Sequence, residues 1–267
     1  MHREHQTQKQ QLESLYRRYN RREYVHPDPL EFLYRYPDLR DRELAGMVAA
    51  SLAYGRVNQI LKSVSDVLDR MGKAPFRFLT ESTDLDICSA LRGFVHRFAD
   101  GEGMARLLIG LRGVVKQYGS LINAFQGPGL SNHETVLPAL DRFCCRIADA
   151  AGGDLGHLLP QPKRGSACKR MNLFLRWMVR KDEVDPGGWD GISTAGLIVP
   201  LDVHMHRTGR GFGFTKRKQA DMRTALEITE GFKRFAPGDP VRYDFVLTRL
   251  GIRKDMGDKT AFHRMCP

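Results

Sequence analysis

The sequence predicts an all-α fold, because apolar residues recur at helical spacing along most of the chain and strand patterns are nearly absent. The first periodic segment covers 10–24, and a clearer one begins after Asp38 and ends near Gly55. The next covers 57–71, where Gly72 is placed to stop the helix. The later helical segments are 84–98, 103–118, 135–151, 168–179, 218–234 and 240–250. We therefore expect about ten helices.

One short run, 197–203, has a β-like composition, but Pro200 interrupts it. Proline removes a hydrogen-bond donor from a strand, so we expect no sheet there. Two stretches rich in glycine, proline and polar residues, 127–133 and 152–165, are candidate boundaries between lobes.

From these boundaries we expect a single helical unit, 1–267, made of two lobes. Residues 38–150 would form mainly the first lobe. Residues 160–267 would form the second, with the N-terminal helix packed on it. The 42% of hydrophobic residues is enough for a continuous core at this chain length.

The charge of the chain points to a polyanionic partner. Its 42 Lys and Arg residues exceed its 31 Asp and Glu residues, which gives a formal net charge of +11. Nucleic acid is the first candidate for such a partner. The five cysteines include the neighbours Cys144 and Cys145 and form no C-x-x-C pair, a pattern typical of reduced thiols. Without a leader or a long apolar run, we expect a cytoplasmic, nucleoid-associated protein that does not enter a membrane.

A glycine turn precedes the helix at 168–179. The run K-R-G-S-A-C-K at 163–169 places Ser166 as a candidate helix cap, and the free N–H groups of a first helical turn bind phosphate. Lys163 and Arg164 would add positive charge to such a site. The alternative interpretation is an ordinary capped helix start, which the local composition alone favours.

Lys169 is the candidate nucleophile. It lies about one turn into this helix beside Leu173, Phe174, Trp177 and Met178. Lysine amines placed against apolar walls act as nucleophiles in several enzyme classes. The alternative is a surface lysine that points into solvent, which is the commoner situation for this residue type.

Asp202 is the candidate acidic partner. It belongs to P-L-D-V-H-M-H-R at 200–207, where an extended segment after proline passes into a helix. A carboxylate at such a junction serves as an N-cap, and capping alone is one interpretation of this residue. The functional interpretation is that the carboxylate faces Lys169 across a pocket, moves protons and stabilises positive charge on a sugar carbon.

The same segment also suggests a metal site. Asp202, His204 and His206 form D-x-H-x-H, and alternate residues share one face of a strand. On a helix they do not share a face. Because a helix is favoured after Asp202, we expect no metal there.

The segment at 200–207 closely resembles the one that carries the catalytic aspartate in 8-oxoguanine DNA glycosylases of the helix-hairpin-helix superfamily. G-S-A-C-K at 165–169 is similar to the hairpin element that presents the Schiff-base lysine in these enzymes. The separation between the two motifs is similar to that in the archaeal members. Together with L-A-Y-G-R at 52–56 and D-P-V-R-Y-D-F at 239–245, the chain also resembles an uncharacterised bacterial family related to glycosylases.

The resemblance implies a two-lobed helical HhH-GPD-like fold and a base-excision repair glycosylase with AP lyase activity on a damaged, oxidised purine base. It implies Lys169 as the nucleophile and Asp202 as its partner. The DNA-binding candidates are Lys163, Arg164, Gly165, Ser166, Ala167, His204 and Arg207. The base-pocket candidates are Tyr54, Leu173 and Trp189. The expected partner is double-stranded DNA with a flipped base, bound by a monomer.

Two features depart from that family. The usual leucine-proline-glycine-valine-glycine hairpin is missing, and D-P-G-G-W-D-G at 185–191 is an insertion. Many relatives hold an iron–sulfur cluster through four C-terminal cysteines, whereas this chain offers only Cys266 before Pro267. We therefore expect no cluster and no other cofactor. The alternatives that stay open are a non-catalytic DNA- or RNA-binding protein of the same fold and a metal-dependent phosphoesterase that uses Asp202, His204 and His206.

Overall fold

The structure is a computed structural model that describes residues 2–127 and 135–253. Over these residues the chain is all-α, with twelve α-helices and a single two-stranded hairpin. The helices are α1 (His2–Tyr19), α2 (Leu39–Ser51), α3 (Val57–Met71), α4 (Pro75–Glu81), α5 (Asp84–Ala90), α6 (Gly101–Tyr118), α7 (Leu121–Gln126), α8 (Leu137–Ala150), α9 (Lys169–Val179), α10 (Val203–Gly211), α11 (Met222–Lys233) and α12 (Asp244–Ile252). The strands are β1 (Val95–His96) and β2 (Ala99–Asp100). None of the helices in this part of the chain has both the length and the apolar character needed to cross a membrane.

Local signals set several of the helix ends. The carboxylate of Asp38 accepts hydrogen bonds from the backbone N–H groups of Arg40 and Asp41, and α2 begins there as predicted. Helix α3 has the predicted bounds and ends at Gly72, whose φ of 76° suits glycine better than other residues. The run 197–202 lies extended outside any sheet, as expected from its proline.

Short elements were missed or misjudged from the sequence. Helices α4 and α7 have only seven and six residues, too few to show a clear apolar period. The helix predicted over 84–98 ends at Ala90, and the antiparallel hairpin of β1 and β2 follows it. Two residues with positive φ, Gly93 and Arg97, turn the chain in this region. Residues 128–133 of the predicted boundary 127–133 lie outside the described residues.

A continuous hydrophobic core joins helices from both predicted lobes. Helix α9 packs on α2, α6 packs on α8, and α10 packs on α11 and α12. The N-terminal α1 contacts α12. The largest fully buried side chains include Trp177, Trp189, Phe143 and Phe174. Because the core is continuous, the division into lobes at 38–150 and 160–267 stays a prediction.

A buried cluster of charges fastens the loop after α9 to α12. Arg176 on α9 and Arg180, the residue after the last one of α9, both bind Asp185, and Arg176 also binds Asp244 at the start of α12. Arg180 further pairs with Asp239 at 3.0 Å. Removing one partner from such a cluster leaves a buried charge without compensation, so these groups depend on one another.

The insertion at 185–191 folds back on the end of α9. The backbone N–H groups of Gly187 and Trp189 donate to the carbonyls of Trp177 and Met178, respectively. Gly188 has a φ of 124°, and a Cβ atom on it would lie 2.4 Å from a methyl carbon of Leu39. The loop is therefore a docked part of the core rather than a surface insertion.

Candidate functional site

A pocket of about 260 Å³ opens between the N-terminal parts of α9 and α10 and one face of α12, which lines it from Asp244 to Ile252. Its lining includes Tyr54, Lys169, Leu173, Asp202 and His204, all of which the sequence had singled out. The segment that enters the Pro29–Arg35 3₁₀ helix and the loop between α2 and α3 complete the wall. The structure therefore brings residues from distant parts of the chain to one place.

Lys169 and Asp202 face each other in this pocket. The Nζ atom of Lys169 lies 3.9 Å from Oδ2 of Asp202. The lysine side chain is 36% exposed and the aspartate side chain 15% exposed. Lys169 is the first residue of α9, so the expectation that it lies one turn into the helix was wrong. A ligand entering the pocket can reach the amine without displacing the core.

Asp202 is also the N-cap of α10, as its sequence context predicts. Its Oδ1 atom accepts a hydrogen bond from the backbone N–H of Met205 at 2.8 Å. This bond fixes the orientation of the carboxylate and leaves Oδ2 directed towards Lys169. Capping occupies only Oδ1, so the capping interpretation and the functional interpretation of this residue are compatible.

A second carboxylate, that of Asp244, lines the pocket at the first residue of α12, and no sequence pattern had pointed to it. One of its oxygens accepts from Arg176, whereas Oδ1 is buried without a hydrogen-bond partner. Burial raises the pKa of Asp244 to about 6, and the nearby charge of Asp202 acts in the same direction against the pull of Arg176. Buried polar atoms without partners are rare, and this one belongs to a residue of the pocket lining.

Tyr54 forms one side of the pocket and is held by its neighbours. Its hydroxyl donates to the carbonyl of His96 at 3.0 Å and lies 3.1 Å from Nε2 of His157. The guanidinium of Arg170 lies 5.0 Å from the centre of the Tyr54 ring. Burial raises the pKa of this hydroxyl. Tyr54 and Leu173 thus both line the pocket, and their role as base-pocket residues stays a prediction.

Trp189, the third base-pocket candidate, lies in the core, and the prediction for it was wrong. Its side chain is 1% exposed and packs against Phe125, Phe143 and Phe174. Its Nε1 atom donates to the carboxylate of Glu43 at 2.8 Å. The cause is the loop at 185–191, which carries the indole inward when it docks on α9.

We expect Trp189→Phe to lower the stability of the fold without changing the activity of the pocket. Phenylalanine keeps most of the ring packing but removes one of the two donors to Oε1 of Glu43, which still accepts from the backbone N–H of Ile122. The loss of one hydrogen bond costs about 0.5–1.5 kcal/mol. Denaturant unfolding measures the change. A loss of activity at temperatures where the variant is fully folded would instead restore Trp189 as a pocket residue.

The predicted phosphate-binding turn begins at Gly165, which has a φ of 76° and closes a 3₁₀ turn over Pro162–Arg164. Ser166 is not the helix cap, because α9 begins after Cys168, which adopts a left-handed conformation. The Ser166 hydroxyl instead accepts from the N–H of Cys168 at 3.3 Å. The sequence had suggested that this turn leads directly into the first helical turn and its free N–H groups. In the structure, residues 166–168 separate Gly165 from α9, so the prediction was wrong.

The turn nevertheless borders the pocket. Gly165, Ser166 and Ala167 line an adjoining cleft that shares Tyr54 and Lys169 with the pocket itself. Nucleic acid bound over this cleft would pass within reach of the lysine.

The basic residues before this turn have protein partners. Arg164 pairs with Asp154 at 2.8 Å, and Nζ of Lys163 lies 3.3 Å from the sulfur of Cys145. Both side chains are largely exposed, so these contacts contribute little to stability, and the DNA-binding role of both residues stays a prediction.

The histidines and arginine of α10 point to two different surfaces. His204 lines the pocket, whereas His206 and Arg207 line a separate shallow depression with Arg210 and Lys216. The Nε2 atom of His206 lies 2.9 Å from the carbonyl of Arg217. Asp202 and His204 therefore line the same pocket, but the helix directs His206 to the other surface, so the three D-x-H-x-H side chains do not converge. Within 2–127 and 135–253 no cluster of three metal-ligating side chains is found.

Comparison with known proteins identifies the family of this chain but no individual relative. A family model described as "Protein of unknown function (DUF2400)" matches residues 28–253, a range that includes Lys169, Asp202 and Asp244. No curated protein and no solved structure matches the chain. Because the match covers most of its length, the chain belongs to the DUF2400 family.

Proposed function

We propose that this protein is a DNA glycosylase with AP lyase activity that removes a damaged base, and that its helices form a two-lobed HhH-GPD-like fold. The observation that carries the proposal is the approach of the Lys169 amine to the Asp202 carboxylate at 3.9 Å inside a pocket. A nucleophilic amine beside a carboxylate is the pair that Schiff-base chemistry requires. The interaction is loose here, as catalytic contacts often are before a substrate tightens them.

The reaction would begin with a nucleotide flipped out of the duplex, which costs a few kcal/mol and least for a damaged or mispaired base. The nitrogen of Lys169 then attacks C1′ of the sugar, the bond from C1′ to the base breaks, and the base leaves with the electron pair and takes a proton from water. Opening of the sugar ring gives an imine between Lys169 and C1′. Loss of a proton from C2′ expels the 3′ phosphate and cleaves the strand.

Asp202 would assist at two points of this sequence. Its carboxylate stabilises the positive charge that develops at the sugar as the base departs. It also accepts the proton that the amine releases after attack and returns it to the ring oxygen. The hydrogen bond from Met205 to Oδ1 holds the group in place while Oδ2 does this work.

The pocket walls favour a base with N–H groups on its edge. Tyr54 and Leu173 supply apolar and aromatic surface, and the free Oδ1 of Asp244 is an acceptor for a hydrogen bond from the base. Guanine derivatives carry ring and exocyclic N–H donors on one edge. This chemistry supports a guanine-type purine as the substrate, and because undamaged guanine carries the same donors, the choice of an oxidised form rests on the family resemblance.

The overall charge supports a DNA partner. The formal charge of +11 favours binding to phosphates with an affinity that falls as salt rises. His204 within the pocket and the backbone at Gly165 to Ala167 beside it are the groups that would contact the strand near the flipped nucleotide.

A borohydride trapping panel tests the proposal. Duplexes that carry an abasic site, one of several oxidised purines or no lesion are incubated with the protein and sodium borohydride, which reduces the imine to a stable covalent link. We expect a denaturant-resistant complex with the abasic duplex and at least one lesion duplex, and none with undamaged DNA. Salt-sensitive binding without any covalent complex would contradict the proposal in favour of a binding protein. Strand cleavage that needs a metal and stops with a chelator would favour a phosphoesterase.

A further inference from the structure

The hairpin of β1 and β2 presents an exposed aromatic side chain at its tip. Val95 pairs with Asp100 and His96 pairs with Ala99, which leaves Arg97 and Phe98 as the turn. The Phe98 side chain is 77% exposed. Arg97 has a φ of 55°, a left-handed conformation that is strained for a residue other than glycine, asparagine or aspartate. Strain of this kind concentrates at functional positions.

The hairpin is fixed against the pocket wall. His96 is fully buried, with Nδ1 2.8 Å from the hydroxyl of Ser63 and Nε2 3.1 Å from the carbonyl of Tyr54. The Tyr54 hydroxyl donates back to the carbonyl of His96. A turn anchored by these bonds can hold Phe98 in a defined position without burying it.

The tip of the hairpin lies beside the mouth of the pocket. The Arg97 side chain packs against Gly55, a residue of the pocket lining. A Cβ atom added to Gly55 would lie 2.8 Å from Cδ of Arg97. The Phe98 ring lies 6.3 Å from the ring of His157, which in turn contacts Tyr54. An aromatic series therefore leads from the pocket wall to solvent.

The exposure of Phe98 is unusual for this molecule. Among the described residues, the exposed large apolar side chains are Leu85, Val95, Phe98, Val203 and Ile252. Two of these belong to the six-residue hairpin, and the adjacent Arg97 guanidinium lies 5.6 Å from the Phe98 ring. An apolar wedge next to a cation is the combination with which proteins enter the base stack of DNA.

We propose that Phe98 inserts into the base stack of duplex DNA at the position that the flipped nucleotide leaves, with Arg97 neutralising the adjacent backbone. This inference rests on the proposed function for its DNA substrate. Stacking on the ring replaces the neighbour that the flanking base loses when the nucleotide turns into the pocket. The hairpin would thereby hold the duplex open while Lys169 and Asp202 act on the sugar.

A fluorescent base tests the insertion independently of catalysis. A duplex that contains 2-aminopurine mispaired with cytosine becomes brighter when the fluorescent base leaves the stack. We expect the wild-type protein to raise the fluorescence, and Phe98→Ala to weaken this response about tenfold, as the loss of one base–aromatic stacking contact implies. Phe98→Leu keeps an apolar wedge and should restore most of the signal.

The matched control is Leu85→Ala. Leu85 is 76% exposed, nearly as much as Phe98, and it lies on α5 outside the pocket lining. Leu85→Ala should give the fluorescence response of the wild type, because the proposal attributes the response to the position of Phe98 and not to exposed apolar surface in general. An equal response from Phe98→Ala and wild type, an equal loss in Leu85→Ala, or no response from the wild-type protein would overturn the inference.

Trapping separates this inference from the proposed function. On an abasic duplex no base has to leave the stack, so Phe98→Ala should retain covalent trapping while it fails to unstack 2-aminopurine. A wild-type protein that brightens 2-aminopurine through Phe98 but never forms a covalent complex would support the insertion and contradict the glycosylase proposal. Retained trapping by Phe98→Ala also excludes simple misfolding as the cause of its lost fluorescence response.

Discussion

Lys169→Gln is expected to abolish the covalent complex with abasic DNA. Glutamine is of similar polarity and nearly the same length, but its amide nitrogen is not nucleophilic and forms no imine. The side chain is 36% exposed and bonded only loosely to Asp202, so we expect the fold to lose no more than about 0.5 kcal/mol, as is usual at such surfaces. Trapping with sodium borohydride, followed by denaturing electrophoresis, measures the effect.

Binding to DNA should survive the same substitution, because most of the affinity comes from contacts with many phosphates. Lys116→Gln on α6 is the matched control, since it removes an exposed lysine that lies outside the pocket lining. It should trap DNA as the wild type does. If Lys169→Gln still formed the complex, another amine would be the nucleophile. If it lost DNA binding altogether, Lys169 would be a binding residue.

The site was predictable from sequence where local rules determine the geometry. The proline two residues before Asp202 keeps the chain extended, and the aspartate then caps the helix that follows, so the sequence placed it correctly. The approach of Lys169 was expected from the resemblance of two motifs rather than from the spacing of residues alone. The helix bounds at 57–71 were right because a full apolar period and a terminal glycine coincide there.

The rest depends on contacts between distant parts of the chain. In the sequence, Asp244 has the pattern of an ordinary carboxylate in the first turn of a helix. Its burial beside the pocket could not be predicted, because it depends on the pairing with Arg176 on α9. Trp189 resembles a stacking residue until the loop at 185–191 docks on α9 and turns the indole into the core. The hairpin that carries Phe98 has strands of two residues, which show no alternation.

Asp202→Asn is expected to slow release of the base by about 10²- to 10⁴-fold, the usual contribution of a positioned general acid or base. Asparagine caps helices as well as aspartate does, so the hydrogen bond from Met205 is retained and stability should change by less than about 0.5 kcal/mol. The substitution therefore removes the charge next to Lys169 while it preserves the start of α10. Single-turnover kinetics on the duplex that traps best, together with denaturant unfolding, measure both effects.

Two further variants make the interpretation of Asp202→Asn specific. Asp202→Ala removes the cap as well as the charge, and it should add a destabilisation of about 0.5–2 kcal/mol to the same kinetic defect. Asp38→Asn changes the cap of α2 outside the pocket lining and should leave the kinetics unchanged. If the rate fell only in proportion to stability across the three variants, Asp202 would be a helix cap alone. A kinetic defect in the well-folded Asp202→Asn protein instead assigns the carboxylate to the reaction, because capping is the one role that asparagine keeps.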